Sequence, residues 1–121
     1  MKFACLFYHS EDAMTAFPAS QREALSASCK AWVEGLQRDG RYVDALGLAS
    51  TQTATTVRVR EGQVTYTDGP FAETKEQLGG LTVIEAKDLN EALRIASKIS
   101  VAKTGSIEVR PLFIQKNGVT T

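Results

Sequence analysis

The sequence predicts an α+β fold in which two helices lie on one face of a sheet. Strand patterns outnumber helical ones, and the predicted order of elements is β-α-β-β-β-β-α-β. This order lacks the regular βαβ alternation of a parallel sheet. A ferredoxin-like sheet with an inserted β-hairpin fits it best. The 121 residues are expected to form a single domain over residues 1–121.

The first strand is apolar on both of its faces. Residues 3–8 place Phe3, Cys5 and Phe7 on one face and three more apolar or aromatic side chains on the other. Such a run predicts a strand that is buried on both sides. Two helices cover only one face of a sheet, so the other face needs a cover, and a second subunit is the simplest one. The sequence therefore predicts a homodimer.

The two predicted helices have recognisable ends. The first begins near Pro18 or Ser20, where Ser-Gln-Arg-Glu fits a capping box, and ends at an Asp-Gly pair at 39–40. The second begins at an Asp-Leu-Asn-Glu sequence at 88–91, which fits another capping box. Residues 10–17, between the first strand and the first helix, are expected to form a polar loop.

Strand patterns account for most of the remaining chain. They cover residues 41–48, 55–60, 63–67, 78–85 and 106–114. The second and third of these join through a Glu-Gly turn as a hairpin, and Val57, Val59, Val64 and Tyr66 are expected to face inward. The tail from residue 115 is polar and is expected to fray.

The stretch from residue 66 to residue 80 is the main candidate for a functional site. A plain hairpin turn takes about two to five residues, so this connection is long. Asp68-Gly69-Pro70 forces a chain reversal, because Gly69 can take a positive φ and Pro70 fixes its own φ. A large apolar residue, Phe71, follows, and then come three charged ones: Glu73, Lys75 and Glu76. The alternative interpretation is a well-made loop with a solvated charged run.

Charge and cysteine content argue against several classes of protein. Fourteen basic residues balance fourteen acidic ones, so net charge gives no reason to bind nucleic acid or an anionic membrane. Cys5 and Cys29 have no further Cys or His at metal-ligand spacing. They are expected to be free structural thiols, with no metal and no cofactor. The short N-terminal apolar run and the lack of a membrane-spanning stretch predict a cytoplasmic protein.

A nine-residue signature, Asp-Gly-Pro-Phe-Ala-Glu-Thr-Lys-Glu at 68–76, resembles that of the DGPF group within the YCII-related family. The likeness extends to the Thr-Val-Arg-Val-Arg strand at 56–60, the Leu-Gly-Gly step at 78–80 and the Glu-Val-Arg-Pro strand at 108–111. The resemblance implies a ferredoxin-like fold that pairs into a dimeric α/β barrel. It also implies a small bacterial protein with a functional link to an extracytoplasmic-function sigma factor. The family as a whole has no settled biochemical role.

The resemblance further implies a His–Asp pair, for which the candidates are His9, the only histidine, and Asp68. Relatives in the DGPF group often carry Gly at the position of His9. The first hypothesis is a small cofactor-independent enzyme, lyase-like or isomerase-like, acting on a small organic molecule. His9 would be the general acid or base, because imidazole changes its charge near neutral pH. Asp68 would orient the ring or share its proton, within hydrogen-bond reach directly or through one water.

Substrate contacts are expected from Arg58, Phe71, Glu73 and Lys75, with Arg58 or Lys75 holding a developing oxyanion. The pocket is expected between the helix-free face of the sheet and a partner subunit. The second hypothesis is a non-catalytic ligand-sensing or protein-interaction module. In that case Asp68 is a structural cap that satisfies the N–H groups of its own turn. His9 is then a strand-end imidazole hydrogen-bonded to backbone.

Overall fold

A computed structural model shows six strands and three α-helices within residues 1–113, which are the residues that the structure describes. The strands are β1 (Lys2–His9), β2 (Tyr42–Gly47), β3 (Thr55–Arg60), β4 (Gln63–Asp68), β5 (Gln77–Glu85) and β6 (Ser106–Pro111). The helices are α1 (Glu11–Ala16), α2 (Ala19–Arg38) and α3 (Leu89–Ala96), and short 3-10 turns cover Thr51–Thr53 and Ser100–Lys103. The last residue of the predicted final strand and the tail from 115 lie outside the described residues.

Four strands form an antiparallel sheet in the order β2-β5-β1-β6. The strands β3 and β4 pair with each other in a separate two-stranded sheet. When this hairpin is set aside, the order β1-α2-β2-β5-α3-β6 is that of a ferredoxin-like fold. The α+β fold with an inserted hairpin is therefore confirmed.

The core lies between the sheet and the two longer helices. Phe3 and Cys5 of β1 and Ile84 of β5 pack with Leu36 of α2 and Ala92 of α3, and all five are buried. Because α2 and α3 contribute to the same cluster, both cover the same face of the sheet. Burial of these side chains supplies the main apolar contribution to folding.

Within residues 1–113, no helix covers the opposite face of the sheet. It carries Leu6 of β1, Leu81 and Val83 of β5, and Leu46 of β2, in register with one another. The first three are half-buried and Leu46 is 57% exposed. The buried residues of α2 and α3 all belong to the core on the other side. This face therefore presents a continuous apolar strip, which we call the helix-free face.

Helix α1 occupies residues that were expected to form a loop, so that expectation is wrong. Ser10 caps the helix, because its Oγ accepts a hydrogen bond from the Ala13 N–H at 3.1 Å. Two acidic residues, Glu11 and Asp12, follow in the first turn, where negative charge is stabilising. The helix stops before Pro18, which forces the preceding residue into extended backbone.

The ends of the other helices were largely predicted. Helix α2 starts directly after Pro18, and Gly40 follows its end with a φ of 69°. The capping box at Ser20 does not form, because this residue lies inside the helix. At the start of α3, Asp88 does cap: its carboxylate accepts from the Glu91 N–H at 2.9 Å.

The β3–β4 hairpin has the predicted alternation but not the predicted burial. Glu61 and Gly62, with φ of 52° and 77°, form the tight turn. One face carries Val57, Val59, Val64 and Tyr66, which are 58%, 58%, 53% and 75% exposed. The expectation that they face inward is therefore wrong within the protomer. Alternation shows which side of a hairpin is apolar, but not what covers it.

Candidate functional site

A β-bulge at Gly79 shapes the end of the sheet where the candidate residues lie. Phe7 of β1 pairs with Gly80, but the next residue, Tyr8, pairs with Leu78, so Gly79 is the extra residue. The bulge keeps Tyr8 and Leu78 together on the helix-free face. The next pair, His9 and Gln77, therefore lies on the face of the sheet that the helices cover.

His9 is held against the backbone of Gly79 on the helix side of the sheet. A Cβ atom at Gly79 would lie only 2.4 Å from the imidazole Cε1 and 2.8 Å from Nδ1, so glycine is what leaves room for the ring. His9 pairs with Gln77 at the end of β1. Within residues 1–113, no hydrogen bond involves the imidazole, so the predicted alternative of a ring bonded to backbone is not observed. Its nitrogens remain free to bind a ligand or water.

Glu11 is the carboxylate beside this imidazole, and it ties three segments together. It accepts hydrogen bonds from Ser50 Oγ and the Thr51 N–H, each at 2.9 Å, and from Thr51 Oγ1 at 3.2 Å. Its own N–H donates to Gln77 Oε1 at 2.9 Å. The bond from the Thr51 N–H lowers the pKa of Glu11 most, and the charge of His9 adds to this effect. The carboxylate is therefore fixed and ionised next to His9.

Three adjoining spaces surround these groups. The imidazole cleft, about 270 Å³, is lined by His9, Glu11, Met14, Thr15, Leu48, Ala49, Ser50 and Gly79. The loop cavity, about 360 Å³, is lined by Glu11, Asp12, Thr51, Gln52, Gly69, Pro70, Ala72, Glu73, Thr74 and Gln77. The sheet-face cavity, about 350 Å³, is lined by Tyr8, Thr51, Pro70, Phe71, Ala72, Thr74, Glu76, Gln77 and Leu78. Shared lining residues make the loop cavity the link between the other two.

The structure does not join His9 to Asp68. Asp68 is exposed at the end of β4, opposite Thr55, and its carboxylate makes no hydrogen bond or ion pair with any residue in the described part of the chain. The N–H of Gly69 in its turn donates to the Ala54 carbonyl at 2.8 Å instead. Among the described residues of the protomer, Asp68 makes neither a direct bond to His9 nor a cap on its own turn, and its functional role stays a prediction.

The expected substrate contacts separate into two groups. Phe71 lines the sheet-face cavity and Glu73 lines the loop cavity, so the loop forms walls of two of the three spaces. Arg58, on the polar side of the hairpin, and Lys75 are exposed and line none of the three spaces. The expectation of a pocket on the helix-free face fits the sheet-face cavity, whereas His9 lies on the opposite side.

Sequence reasoning missed Glu11, although a signal was present. Ser-Glu-Asp directly after a strand is a helix-start pattern. A helix starting there places Glu11 just beyond His9 at the end of β1. The contacts with Ser50 and Thr51, by contrast, depend on a distant loop and leave no local pattern.

The cysteines have the predicted structural character. Both are free; Cys5 is buried and Cys29 half-buried. Burial raises the pKa of Cys5 to about 11 and also raises that of Cys29, so both stay protonated thiols at neutral pH.

Among the described residues, no group of three or more His, Cys, Asp or Glu side chains is arranged to hold a metal ion. No helix in that part of the chain has the length and apolarity to cross a membrane.

Fold and site together define a small α+β protein with a ferredoxin-like sheet and loop-lined cavities at one end. The YCII-related domain matches residues 1–115 of the chain. The chain is also 38% identical over 120 residues to an uncharacterized protein from Rhizobium meliloti (strain 1021), a match that covers 98% of this chain and 97% of the other. The chain therefore belongs to the YCII-related family, as the signature at 68–76 predicted.

Proposed function

We propose that the protein is a cofactor-independent enzyme that moves a proton on a small organic molecule, in a lyase-like or isomerase-like reaction. The observation that carries this proposal is the imidazole of His9. It lies in a cleft of about 270 Å³ and makes no hydrogen bond with any described residue. A histidine with free nitrogens in a cleft can serve as general base or acid near neutral pH.

In this proposal Glu11 is a positioning residue. It lines the same cleft as His9, so its negative charge lies close to the place where the ring would exchange a proton with a substrate. The hydrogen bonds from Ser50 and Thr51 keep this carboxylate fixed and ionised during the reaction. Glu11 thus takes the part that the sequence assigned to Asp68.

The loop supplies the proposed substrate contacts. Phe71 and Glu73 line cavities that adjoin the cleft, which supports this role. Asp68, Arg58 and Lys75 lie outside these spaces, and we propose that they join the site only in an assembly with a second copy. The loop signature also supports placing the protein in the DGPF group.

We propose that a second copy covers the helix-free face, giving a homodimer. The support is the apolar strip on that face and the exposed apolar side of the hairpin, neither of which suits contact with water. A specific interface of this kind buries at least about 1,000 Å² in total. Analytical ultracentrifugation is expected to show a dimer, and Leu81→Asp is expected to give a folded monomer. A wild-type monomer at micromolar concentration would contradict the proposal.

Solvent deuterium exchange tests the enzymatic proposal and does not require the product to be identified. Lactones and small ketones with exchangeable C–H bonds are incubated with the protein in D2O, and deuterium uptake is followed by mass spectrometry. Wild type is expected to accelerate uptake in at least one compound. His9→Gln is expected to lower that rate by about 100-fold or more.

Two glycine variants provide matched controls for this assay. Gly79→Ala places a Cβ where the imidazole lies and is expected to lower the rate, whereas at Gly47 an added Cβ meets no atom within 4 Å. Gly47→Ala is therefore expected to behave as wild type. Exchange by His9→Gln at the wild-type rate would overturn the assignment of His9.

The second candidate function is a non-catalytic ligand-sensing or protein-interaction module linked to an extracytoplasmic-function sigma factor. The observation that favours it is exposed apolar surface: Tyr66 is 75% and Phe71 78% exposed. Binding to a sigma factor from the same organism, measured by calorimetry, distinguishes the two functions. The module predicts binding that Tyr66→Asp abolishes and His9→Gln leaves intact.

A further inference from the structure

We propose that the sheet-face cavity is a binding site for a small amine that carries an apolar ring. Its walls are formed largely by Tyr8, Pro70, Phe71 and Leu78, and its volume is about 350 Å³. This size lies at the lower end of the range for small-molecule sites, roughly 300–1,000 Å³, and suits a single ring. Phe71 is 78% exposed, so a ring packed on it removes a large apolar surface from water.

The charge of the ligand follows from the polar groups of the cavity. Glu76 is the charged residue that lines it, and one of its carboxylate oxygens, Oε1, accepts from Ser106 Oγ at 2.8 Å. The other oxygen has no hydrogen-bond partner within residues 1–113. The bond from Ser106 fixes the carboxylate and leaves one oxygen for a donor. A protonated amine can donate a charge-assisted hydrogen bond to this free oxygen of Glu76.

Acidic residues in the adjoining loop cavity strengthen the preference of the sheet-face cavity for a protonated amine. The adjoining loop cavity is lined by three more acidic residues, Glu11, Asp12 and Glu73, and no Lys or Arg of the described chain lines either space. The chain as a whole is neutral, so this local excess of carboxylates is not a consequence of composition. Like charges across a site repel, so the cavity discriminates against carboxylic acids as well as favouring amines.

This site lies across the sheet from the imidazole cleft, and amine binding there does not require the proposed reaction at His9, although Phe71 takes part in both proposals. Tyr8 and Leu78 pair on the helix-free face, whereas His9 lies on the helix side and does not line the cavity. In the proposed homodimer the second copy would close the cavity from the open side. Binding is therefore measured on the full chain in its native assembly.

Three probes that share one ring test the inference: benzylamine, benzyl alcohol and benzoate. Titration of the ¹⁵N-labelled protein is expected to show benzylamine binding with amide shifts at Tyr8, Phe71 and Leu78. Benzyl alcohol is expected to bind more weakly and benzoate not at all. Equal or tighter binding of benzoate would overturn the proposal, as would the absence of shifts with benzylamine at millimolar concentration.

Variants in which glutamine replaces a single glutamate test where the amine binds. Glu76→Gln keeps an oxygen for Ser106 and is expected to weaken benzylamine binding about tenfold. The control Glu34→Gln removes the same charge from an exposed position on α2 and is expected to change nothing. His9→Gln is also expected to leave benzylamine binding unchanged. The binding proposal and the proposed reaction can therefore fail independently of each other. Unaltered binding by Glu76→Gln, with an unchanged circular dichroism melt, would refute the role of this carboxylate.

Discussion

Replacing Glu11 measures how strongly one carboxylate holds the loop at 50–53. Glu11→Ala removes the acceptor of three hydrogen bonds, from Ser50 Oγ and from the N–H and Oγ1 of Thr51. A hydrogen bond to a charged group contributes about 1.5–3 kcal/mol when buried. Because this site is only half-buried, solvent screening reduces the total, and we expect a loss of about 1–2 kcal/mol. Glu11→Gln keeps an acceptor oxygen and is expected to lose about half as much.

The effect of Glu11 depends on pH in a defined direction. The pKa of Glu11 is lowered in the folded protein, whereas the pKa of a glutamate in the unfolded chain is about 4.3. The stability that Glu11 contributes is therefore complete above the unfolded pKa and is lost as the pH falls through the folded pKa. The difference between wild type and Glu11→Gln is expected to be constant near neutral pH and to shrink below about pH 4.

Urea unfolding at several pH values, followed by circular dichroism at fixed ionic strength, checks this expectation. The matched control is Asp12→Asn, which removes the same charge from the same helix end, where the carboxylate makes no hydrogen bond with a described residue. It is expected to cost no more than about 0.5 kcal/mol. The reasoning is refuted if both variants lose the same stability, or if the loss in Glu11→Gln persists unchanged at acid pH.

Three further variants or labels probe other parts of the structure. An added Cβ at Gly105 would lie 2.1 Å from the backbone oxygen of Tyr8, so Gly105→Ala is expected to lose about 2 kcal/mol or more in thermal melts, and Gly47→Ala almost nothing. Asp68→Asn is expected to stay within about 0.5 kcal/mol of wild type in urea unfolding, and a larger loss would indicate a partner for this carboxylate. Burial and a pKa raised to about 11 are expected to protect Cys5 from thiol reagents until the protein unfolds; rapid labelling of the folded protein at pH 8 would contradict this.

Local patterns in the sequence were sufficient for most of the elements. The alternation at 55–60 and 63–67 predicted β3 and β4 closely, and the Asp-Gly pair at 39–40 predicted the end of α2. Such features depend on neighbouring residues, so a single sequence contains them. The short helix α1 was missed because its cap, Ser10, lies in a stretch of small and polar residues that also suits a loop.

The arrangement of the site depended on contacts that local patterns do not record. The expected meeting of His9 and Asp68 required β1 and β4 to end side by side in one sheet. Within residues 1–113, β3 and β4 instead pair with each other and not with β1, and Asp68 ends opposite Thr55. The register shift at Gly79, which decides the faces on which Leu78 and Gln77 lie, likewise follows from pairing between strands distant in sequence.

The separate pairing of β3 and β4 divides the protein into parts of unequal local stability. Among the described residues, each strand of the hairpin is paired on one side, whereas β1 is paired on both sides, with β5 and β6. A two-stranded sheet alone is marginally stable in water, so we expect its amides to exchange through local opening and those of β1 to exchange only when the whole sheet opens. The loop that lines the cavities joins these two parts. Its motion can therefore follow the hairpin on a short timescale without disturbing the slow-exchanging core.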